Sequence, residues 1–457
     1  MSKRSNPWLL LFTVLFGILL VGIDRTVTNL AIPHIIAQFN IDASTAGWAA
    51  TSYIITSAVF IPVFGKLGDM YGDRRIFVGG MIGFIITSIV TALAWNMPIL
   101  IAFRALQGVC GSAIVPTAMA AVAKQFTENS SRAQALGFLA TAGAGAATVA
   151  PLVGGPLIDN YGWRSVFFIN LPLGIIAVIL GILYIRNDRV EAKHSFDIIG
   201  SILLGLSLSG LVLVIDRGSA WGWTSLGSII CYIGSVCFFA LFVYEQGRAA
   251  DPIIDLTLFK NTTTSGALAT SFFVGMSLYS VTLLISLFAQ QKLGYTATQT
   301  GYLYLPMTIP LIFLSPVGAK ISKLLPPRFA IAIGVLGAAG GIYLLSRADI
   351  SLGLRAVAFP MAVFGAFWAI TSAPLSTAIA NSVPKTHLGM VSGLRTLVLS
   401  IGGAIGIAVA SSVYASNAAA GVSSETTFHQ LYGISAIVLV IGAGLALFIK
   451  EKSSDYA

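Results

Sequence analysis

The chain has 457 residues, of which 56% are hydrophobic and only 9% are charged, and its mean hydropathy is +0.88. A soluble globular protein carries about 25% charged residues, so this composition excludes that class. The formal net charge of +9 is spread over short segments between apolar runs rather than gathered in one basic patch. We therefore expect no nucleic-acid partner.

Long apolar stretches recur along the whole chain, and each can cross a hydrocarbon core of about 30 Å. The sequence thus predicts an all-α polytopic membrane protein. Eighteen of the 26 Lys and Arg residues lie on one side when the N-terminus is placed inside, which predicts that both termini are cytoplasmic. The fourteen predicted spans cover residues 8–32, 44–64, 76–94, 98–122, 133–157, 165–186, 197–216, 224–245, 263–289, 298–319, 329–346, 352–381, 388–414 and 431–449.

The first span contains an acid, Asp24. An ionised Asp inside a membrane costs at least about 2.5–3.5 kcal/mol, and such residues usually line an aqueous pathway or a proton relay. Arg104 on span 4 is expected at a similar depth and is the favoured charge partner. Arg25 competes with it, but adjacent helical positions point about 100° apart. A buried ion pair that only fixes the helix register is the structural alternative.

The connection between spans 2 and 3 runs from Gly65 to Arg75 and is rich in glycine and charge. Glycines permit a tight turn, and the basic residues place the connection on the cytoplasmic side. An acid here can accept hydrogen bonds at the N-terminus of another helix. We predict an eleven-residue loop that latches the cytoplasmic side through Asp69. Its gating residues are Gly65, Gly68, Asp69, Gly72, Asp73, Arg74 and Arg75.

Span 5 combines Pro151 with Gly154 and Gly155. Proline removes a helix hydrogen bond and bends the segment, while small residues let another helix approach closely. The pattern predicts a hinge-like seal near the outer face. Generic packing of small residues is the alternative interpretation.

Polar, aromatic and Met side chains in the central spans are candidates for contact with a transported molecule. Such side chains can form an adaptable pocket for flat, lipophilic cations. No other acid lies deep in a predicted span, so we expect Asp24 to bind either one proton or a cationic substrate in each cycle. The candidate substrate residues are Asn29, Tyr53, Gln107, Met276, Tyr279, Phe364 and Trp368.

A weak internal repeat supports a design in two halves. Gly318-Ala319-Lys320 follows span 10 as Gly65-Lys66-Leu67 follows span 2. Duplicated bundles of this kind usually bind substrate at their interface near mid-membrane. We predict a six-helix bundle over 1–190, two inserted helices and a loop over 191–260, and a second six-helix bundle over 261–457. Chance similarity between apolar segments is the alternative.

These motifs resemble those of the major facilitator superfamily, and in particular its fourteen-span drug:proton antiporters. The stretch Gly65–Arg75 resembles the G-x-L-a-D-r-x-G-r-k-r loop, and Ile23–Pro33 is similar to the L-D-x-T-I-V-N-V-A-L-P motif of the first span. Arg104, with Gln107 and Gly108, fits the l-x-x-x-R-x-x-q-G pattern of span 4, where the family's Arg is implicated in proton transfer.

The likeness continues in span 5, where Pro151, Gly154 and Gly155 fit g-x-x-x-G-P-x-x-G-G, although Ala150 replaces the usual Gly. It weakens in the second half: in span 13, Thr396 and Leu399 stand where relatives often have Asn and Arg. The roles of those polar residues therefore do not transfer to this chain.

The resemblance implies a major facilitator fold, with two six-helix bundles plus two inserted helices, and a proton-coupled exporter of lipophilic, cationic drugs. We expect no enzyme activity, no metal and no cofactor, since the proton gradient supplies the energy. The expected partners are a lipophilic small molecule, protons and the lipid bilayer of the cell membrane, and the expected state is a monomer. Alternatives are export of a specific metabolite, lipid or siderophore, and a membrane scaffold or sensor that transports nothing.

Overall fold

The computed structural model describes residues 7–126, 129–186, 197–249, 252, 254, 256–349, 352–382 and 388–450. Within these ranges the chain forms sixteen α-helices and one short 3-10 helix, Leu256–Lys260. The helices are α1 (Pro7–Phe39), α2 (Ala43–Tyr71), α3 (Asp73–Ala92), α4 (Met97–Gly111), α5 (Ile114–Gln125), α6 (Asn129–Tyr161), α7 (Ser165–Phe168), α8 (Asn170–Tyr184), α9 (Ile198–Trp221), α10 (Leu226–Gln246), α11 (Thr262–Gln291), α12 (Ala297–Leu324), α13 (Pro327–Leu345), α14 (Leu354–Asn381), α15 (Leu388–Ala419) and α16 (Ser424–Ala446).

Every predicted span corresponds to a helical segment, with α4–α5 and α7–α8 each forming one segment interrupted by a short break. Ten segments in the described part of the chain are long and apolar enough to cross a membrane. The count of fourteen spans is therefore not confirmed. Four segments lie outside this count: α9 is apolar over the shorter described stretch Ile199–Ile215, and α2, α6 and α12 mix their apolar residues with glycine, hydroxyl or charged side chains.

The helices pack in two groups, which we call the first group (α1–α8) and the second group (α11–α16). In the first group α1 packs on α6 and α8, and α4 packs on α2 and α3. In the second group α14 packs on α12 and α13, and α11 packs on α15 and α16. Between the two groups in sequence, α9 and α10 pack together, and α9 lies against α2 and α15. The predicted division into units at 1–190, 191–260 and 261–457 stays a prediction.

The first two reversals of the chain define the two ends of the molecule. After α1 the chain turns at Asn40, and the Asp42 side chain then caps α2 by accepting a hydrogen bond from the Thr45 amide. After α2 it turns at Gly72, whose φ of +95° favours glycine. We call the end that contains Asn40 the α1–α2 face and the end that contains Gly72 the α2–α3 face.

The predicted loop between spans 2 and 3 is mostly helical, which corrects the expectation from the sequence. Helix α2 continues to Tyr71, and the break is confined to Gly72, whose amide donates to the Gly68 carbonyl at 2.8 Å. Gly65 and Gly68 therefore lie within the helix. Their value is close packing: a Cβ on Gly68 would lie 3.0 Å from Asp73 Oδ1 and 3.1 Å from the Thr117 side chain. A helix tolerates glycine at about 1 kcal/mol each, so glycine density alone does not predict a loop.

Candidate functional site

Asp24 lies at the centre of a hydrogen-bonded network inside the first group, and its side chain is fully buried. Its Oδ2 lies 2.7 Å from Arg104 Nη1, which is the predicted ion pair. Its Oδ1 accepts from Gln107 Nε2 at 3.1 Å and from Asn170 Nδ2 at 2.7 Å. The network therefore joins α1, α4 and α8 through one carboxylate.

Arg104 is also fully buried and is held from several sides. Its Nε donates to the Ala49 carbonyl at 2.9 Å, and its Nη1 also donates to Gln107 Oε1 at 2.7 Å. The guanidinium lies 4.4 Å from the centre of the Tyr53 ring and 5.4 Å from that of Phe167. Aromatic faces stabilise a cation that is withdrawn from water, so the pair is fixed in position as well as neutralised.

The contacts of Asp24 are those of an ionised carboxylate, because each is to a donor group. A proton on Asp24 would remove the negative charge opposite Arg104 and displace at least one of these donors. Burial of an unpaired charge costs several kcal/mol. Proton uptake at this position must therefore be accompanied by a rearrangement of α1 against α4 and α8, or by water entry.

Two members of the network were not singled out from the sequence: Asn170 and Ser88. Ser88 Oγ accepts from Gln107 Nε2 at 2.6 Å and from Asn170 Nδ2 at 3.2 Å. It thereby adds α3 to the network, and both side chains are fully buried. Each is a small polar residue in an apolar run, a weak signal shared by many Ser and Thr residues that bond only to their own helix.

Arg25, the competing partner, points the other way. Its Nη2 donates to Ser400 Oγ on α15 at 3.3 Å, and its guanidinium lies 4.7 Å from the centre of the Tyr279 ring on α11. Both contacts are to the second group. Successive residues of α1 thus serve different partners: Asp24 faces the core of the first group, and Arg25 faces the second.

A proline in α1 creates a docking point between the groups. Pro33 has no amide hydrogen, so the Asn29 carbonyl one turn earlier lacks its usual helical donor. Ser286 on α11 supplies that donor at 2.7 Å, and Gln290 Nε2 donates to the neighbouring Leu30 carbonyl at 3.0 Å. These contacts join α1 to α11 toward the α1–α2 face.

Glycines bring α6 and α12 into close contact at the same face. A Cβ on Gly155 would lie 2.5 Å from Thr298 Cα, and one on Gly301 would lie 2.8 Å from the Pro151 carbonyl oxygen. Gly154 faces Val27 of α1 with similarly little space. The three predicted residues of span 5 thus lie at tight helix contacts, and two of them face the second group.

Asp159, two residues beyond the predicted end of span 5, caps α12 across the same contact. Its carboxylate accepts from the Ala297 amide at 2.8 Å and from the Thr298 amide at 2.9 Å. Burial alone would raise the pKa of Asp159, but hydrogen bonds from Thr298, Thr296 and Ala297 outweigh burial and hold this pKa below the ordinary value of 3.8. The positive end of the helix dipole favours the same ionised form.

At the α2–α3 face the predicted gating residues lie at the end of α2 and the start of α3. Asp73 Oδ2 lies 2.7 Å from Lys124 Nζ on α5, a contact within the first group. Arg74 is half-buried and Arg75 is exposed. The side chain of Asp69 lies outside the described residues, so its predicted docking on the second group stays a prediction.

The predicted substrate residues occupy different environments. Tyr53 and Gln107 belong to the buried network around Asp24. Phe364 is 1% exposed and packs beside Gly341 on α13, in the core of the second group. Asn29 is buried, whereas Met276, Tyr279 and Trp368 are half-buried. Of the seven, Asn29 and Tyr279 contact the other group: the Asn29 carbonyl accepts from Ser286, and the Tyr279 ring lies beside Arg25.

Apolar helices of membrane-spanning length around a buried ionic network place the protein among polytopic helical membrane transporters. The profile of the Major Facilitator Superfamily matches residues 14–407, and the chain belongs to this superfamily. It is a transporter and not an enzyme.

Similar proteins include drug resistance and transport proteins from several bacteria. The chain is 31% identical over 399 residues to the multidrug resistance protein Stp of Mycobacterium tuberculosis, covering 87% of this chain and 74% of that protein. It is 31% identical over 417 residues to the multidrug transporter protein MdtP of Bacillus subtilis, covering 90% and 76%. The tetracenomycin C resistance and export protein of Streptomyces glaucescens is 27% identical, over 89% and 76%.

The fold is similar to that of solved transporters. A bacterial homologue of the human lysosomal transporter Spinster, in an inward-facing and unoccupied conformation, matches with a TM-score of 0.69 and 17% identity, covering 98% of this chain and 97% of that one. The POT family transporter PepTSo matches with a TM-score of 0.67 and 14% identity, covering 97% and 99%. At these identities the likeness concerns the fold alone.

Proposed function

We propose that this transporter exports lipophilic small molecules across the cell membrane in exchange for protons, by alternating access. The observation that carries the proposal is the Asp24 network: one buried carboxylate with three donors and a single cationic partner. Intramembrane acids of this kind are retained for proton or ion transfer far more often than for stability. The likeness to a multidrug resistance protein, a multidrug transporter and a resistance and export protein supports outward transport.

In this proposal the α1–α2 face is the outer face, and both termini are cytoplasmic. The described contacts of α1 with α11 and of α6 with α12 hold that outer face closed. Protonation of Asp24 would weaken its bond to Arg104 and let α1 move. Because α1 also carries Arg25, Asn29 and Leu30, that movement would release contacts with the second group. The fourteen-span arrangement and the monomeric state belong to the same proposal.

The structure weakens the argument for a cationic cargo. Asp24 is the acid that a cation would neutralise, but it is already paired with Arg104 inside the first group. A cation would have to displace a guanidinium that has its own aromatic and main-chain contacts. Proton exchange and a lipophilic cargo therefore remain in the proposal, without a positive charge on the cargo.

The proposal is tested by drug uptake into inverted membrane vesicles with an imposed pH gradient. We expect Asp24→Asn to lower gradient-driven transport of a fluorescent lipophilic substrate at least about tenfold, since an amide cannot carry the proton. The matched control is Asp42→Asn. Asp42 is exposed and caps α2, and Asn caps a helix as well as Asp does. Undiminished transport by Asp24→Asn would overturn the proposal, and so would wild-type transport that survives a protonophore.

A further inference from the structure

Arg25 is a cation at the contact between the two groups without an acidic partner among the described residues. It is half-buried, and its Nη2 has one neutral acceptor, Ser400 Oγ, at 3.3 Å. Its Nε is buried and has no hydrogen-bond partner in the described part of the chain. A buried donor on a charged group that lacks a partner costs free energy, so this position is poised to gain an acceptor.

The nearest acid along the chain cannot serve Arg25. Asp24 is adjacent, but its oxygens are occupied by Arg104, Gln107 and Asn170 on the far side of α1. Asp24 and Arg104 cancel in charge, so Arg25 leaves the centre of the molecule with net positive charge. A second cation, Arg395 on α15, has the same character: Nη1 donates to the neutral Ser376 Oγ at 2.7 Å, and Nε has no described partner.

The surroundings of Arg25 fit an amphiphilic anion. Tyr279 covers one side of the guanidinium at 4.7 Å, and Met276 lies one turn earlier on α11 as a half-buried, adaptable apolar side chain. An arginine fork binds a carboxylate through two parallel N–H donors, Nε and one Nη. The Nε of Arg25 has no hydrogen-bond partner among the described residues, and its Nη2 is held only by a long bond to a hydroxyl.

We propose that Arg25 is the anion subsite of the transport pathway, and that the preferred cargo is a lipophilic monocarboxylate. The carboxylate binds the Arg25 guanidinium in place of Ser400, and the apolar body packs against Tyr279 and Met276. This inference rests on the proposed export function and names its substrate class.

Binding is tested with three pyrene compounds that differ only in charge: pyrenebutyrate, its methyl ester, and a pyrenebutyl trimethylammonium. Thermal protection of the purified, detergent-solubilised protein, titrated with each compound, gives apparent dissociation constants. We expect wild type to bind the carboxylate at least about tenfold more tightly than the ester, and the ammonium most weakly, since a charged partner strengthens a buried hydrogen bond. Arg25→Gln should bring the carboxylate to the affinity of the ester, and Arg25→Lys should keep part of the preference.

The matched control is Arg328→Gln, because Arg328 is an exposed arginine that also stacks on an aromatic ring, that of Phe329. It should leave all three affinities unchanged. The ester reports whether Arg25→Gln is folded, since its affinity does not depend on charge. If that variant does not fold, the wild-type order of affinities decides. A preference for the ammonium, no binding of the carboxylate, or a carboxylate preference that survives in Arg25→Gln overturns the proposal.

These binding measurements involve no gradient, so they fail or succeed independently of proton exchange. Transport measurements also give the number of charges moved in each cycle. One proton entering for one carboxylate leaving moves two charges per cycle, whereas exchange for a monovalent cation moves none. A transport current with pyrenebutyrate in proteoliposomes supports both proposals. Carboxylate binding without gradient-driven transport overturns the exchange mechanism alone, and electroneutral transport of the carboxylate overturns the one-proton exchange.

Discussion

The core of the first group and the contact between the groups use different chemistry. The core around Asp24 is ionic: a fully buried acid and a fully buried base, with amide and hydroxyl side chains completing their hydrogen bonds. The contact between the groups is mostly neutral. It consists of glycines packed against backbone, as at Gly155, and of hydroxyl or amide donors to carbonyls, as at Ser286.

This difference separates a part that is costly to disturb from a part that can open. Breaking a buried ion pair costs several kcal/mol. When helices part, by contrast, backbone carbonyls at the contact regain hydrogen bonds from water. Helix α1 belongs to both regions, since Asp24 faces the core while Arg25 and the Asn29 carbonyl face the second group. A change in the core can therefore reach the contact by moving one helix.

The largest effect is expected from breaking the core alone. Arg104→Gln leaves the Asp24 carboxylate buried without its counter-charge, which should lower the free energy of unfolding by about 3–5 kcal/mol. Chemical unfolding in detergent measures this. The double variant Asp24→Asn/Arg104→Gln should recover a large part of the loss, because neither site then carries charge.

The exposed Arg328→Gln serves as the control and should change stability by less than about 0.5 kcal/mol. A cost below about 1 kcal/mol for Arg104→Gln would mean that Asp24 is protonated or hydrated in the resting protein. The ionic character assigned to the core would then be wrong.

The next effect comes from overpacking the contact without touching the core. In Gly155→Leu the new side chain meets the Thr298 backbone, because even a Cβ would lie 2.5 Å from Thr298 Cα. We expect the closed α1–α2 face to be destabilised by about 3 kcal/mol. Spin labels at the exposed Tyr161 and Tyr302, with the native cysteines replaced by serine, should show longer distances between α6 and α12.

Gly79→Leu is the matched control, since a Cβ on Gly79 meets nothing within 4 Å. It should leave the distance between the labels unchanged. An unchanged distance in Gly155→Leu as well would contradict close packing of α6 on α12 as the basis of closure.

Much of the architecture follows from the sequence, because apolar length and helix-breaking residues act locally. The helical segments and the Asp24–Arg104 pair both follow from counting residues along helices at 1.5 Å each. The length of α2 could not be predicted in this way, because Gly65 and Gly68 are equally compatible with a loop and with a tightly packed helix. The packed helix is distinguished from a loop by Thr117 and Asp73, which lie beside Gly68. Their position there depends on the tertiary structure and cannot be read from the local sequence.

Asp24, Arg104 and the neutral Gln107 were singled out from the sequence, whereas the neutral partners Asn170 and Ser88 were not. A charge in an apolar run is conspicuous because its burial is costly. Neutral polar residues such as Asn170 and Ser88 are less conspicuous. Many buried polar side chains bond only to their own helix, as the Thr87 hydroxyl does to the Gly83 carbonyl. The direction of Arg25 also required the structure, because sequence spacing gives the angle between Asp24 and Arg25 but not which neighbour lies on either side.

A smaller effect is expected from the carbonyl that Pro33 leaves without a donor. Ser286→Ala removes the hydroxyl that bonds the Asn29 carbonyl, and an unpaired buried carbonyl costs about 1–3 kcal/mol. The distance between the spin labels at Tyr161 and Tyr302 should increase, but by less than in Gly155→Leu. Ser280→Ala is the control on the same helix, because the Ser280 hydroxyl bonds within the second group. Equal shifts in both variants would show that α11 is perturbed generally.

The smallest effect concerns Asp159, the acid that caps α12 at the contact between the groups. Because its pKa is lowered in the closed form, its contribution is fully present above the ordinary value of 3.8 and is lost as the pH falls through the lowered pKa. The Asp159 contact should therefore be insensitive to pH between about 5 and 8. Asp159→Asn should weaken closure by about 0.3–1 kcal/mol at neutral pH, measured by the same label distance, and remove the response to acid below 3.8. If Asp159→Asn instead abolished the response of transport to pH near neutrality, the proton would act at the neutral contact rather than in the ionic core, and the two regions would exchange roles.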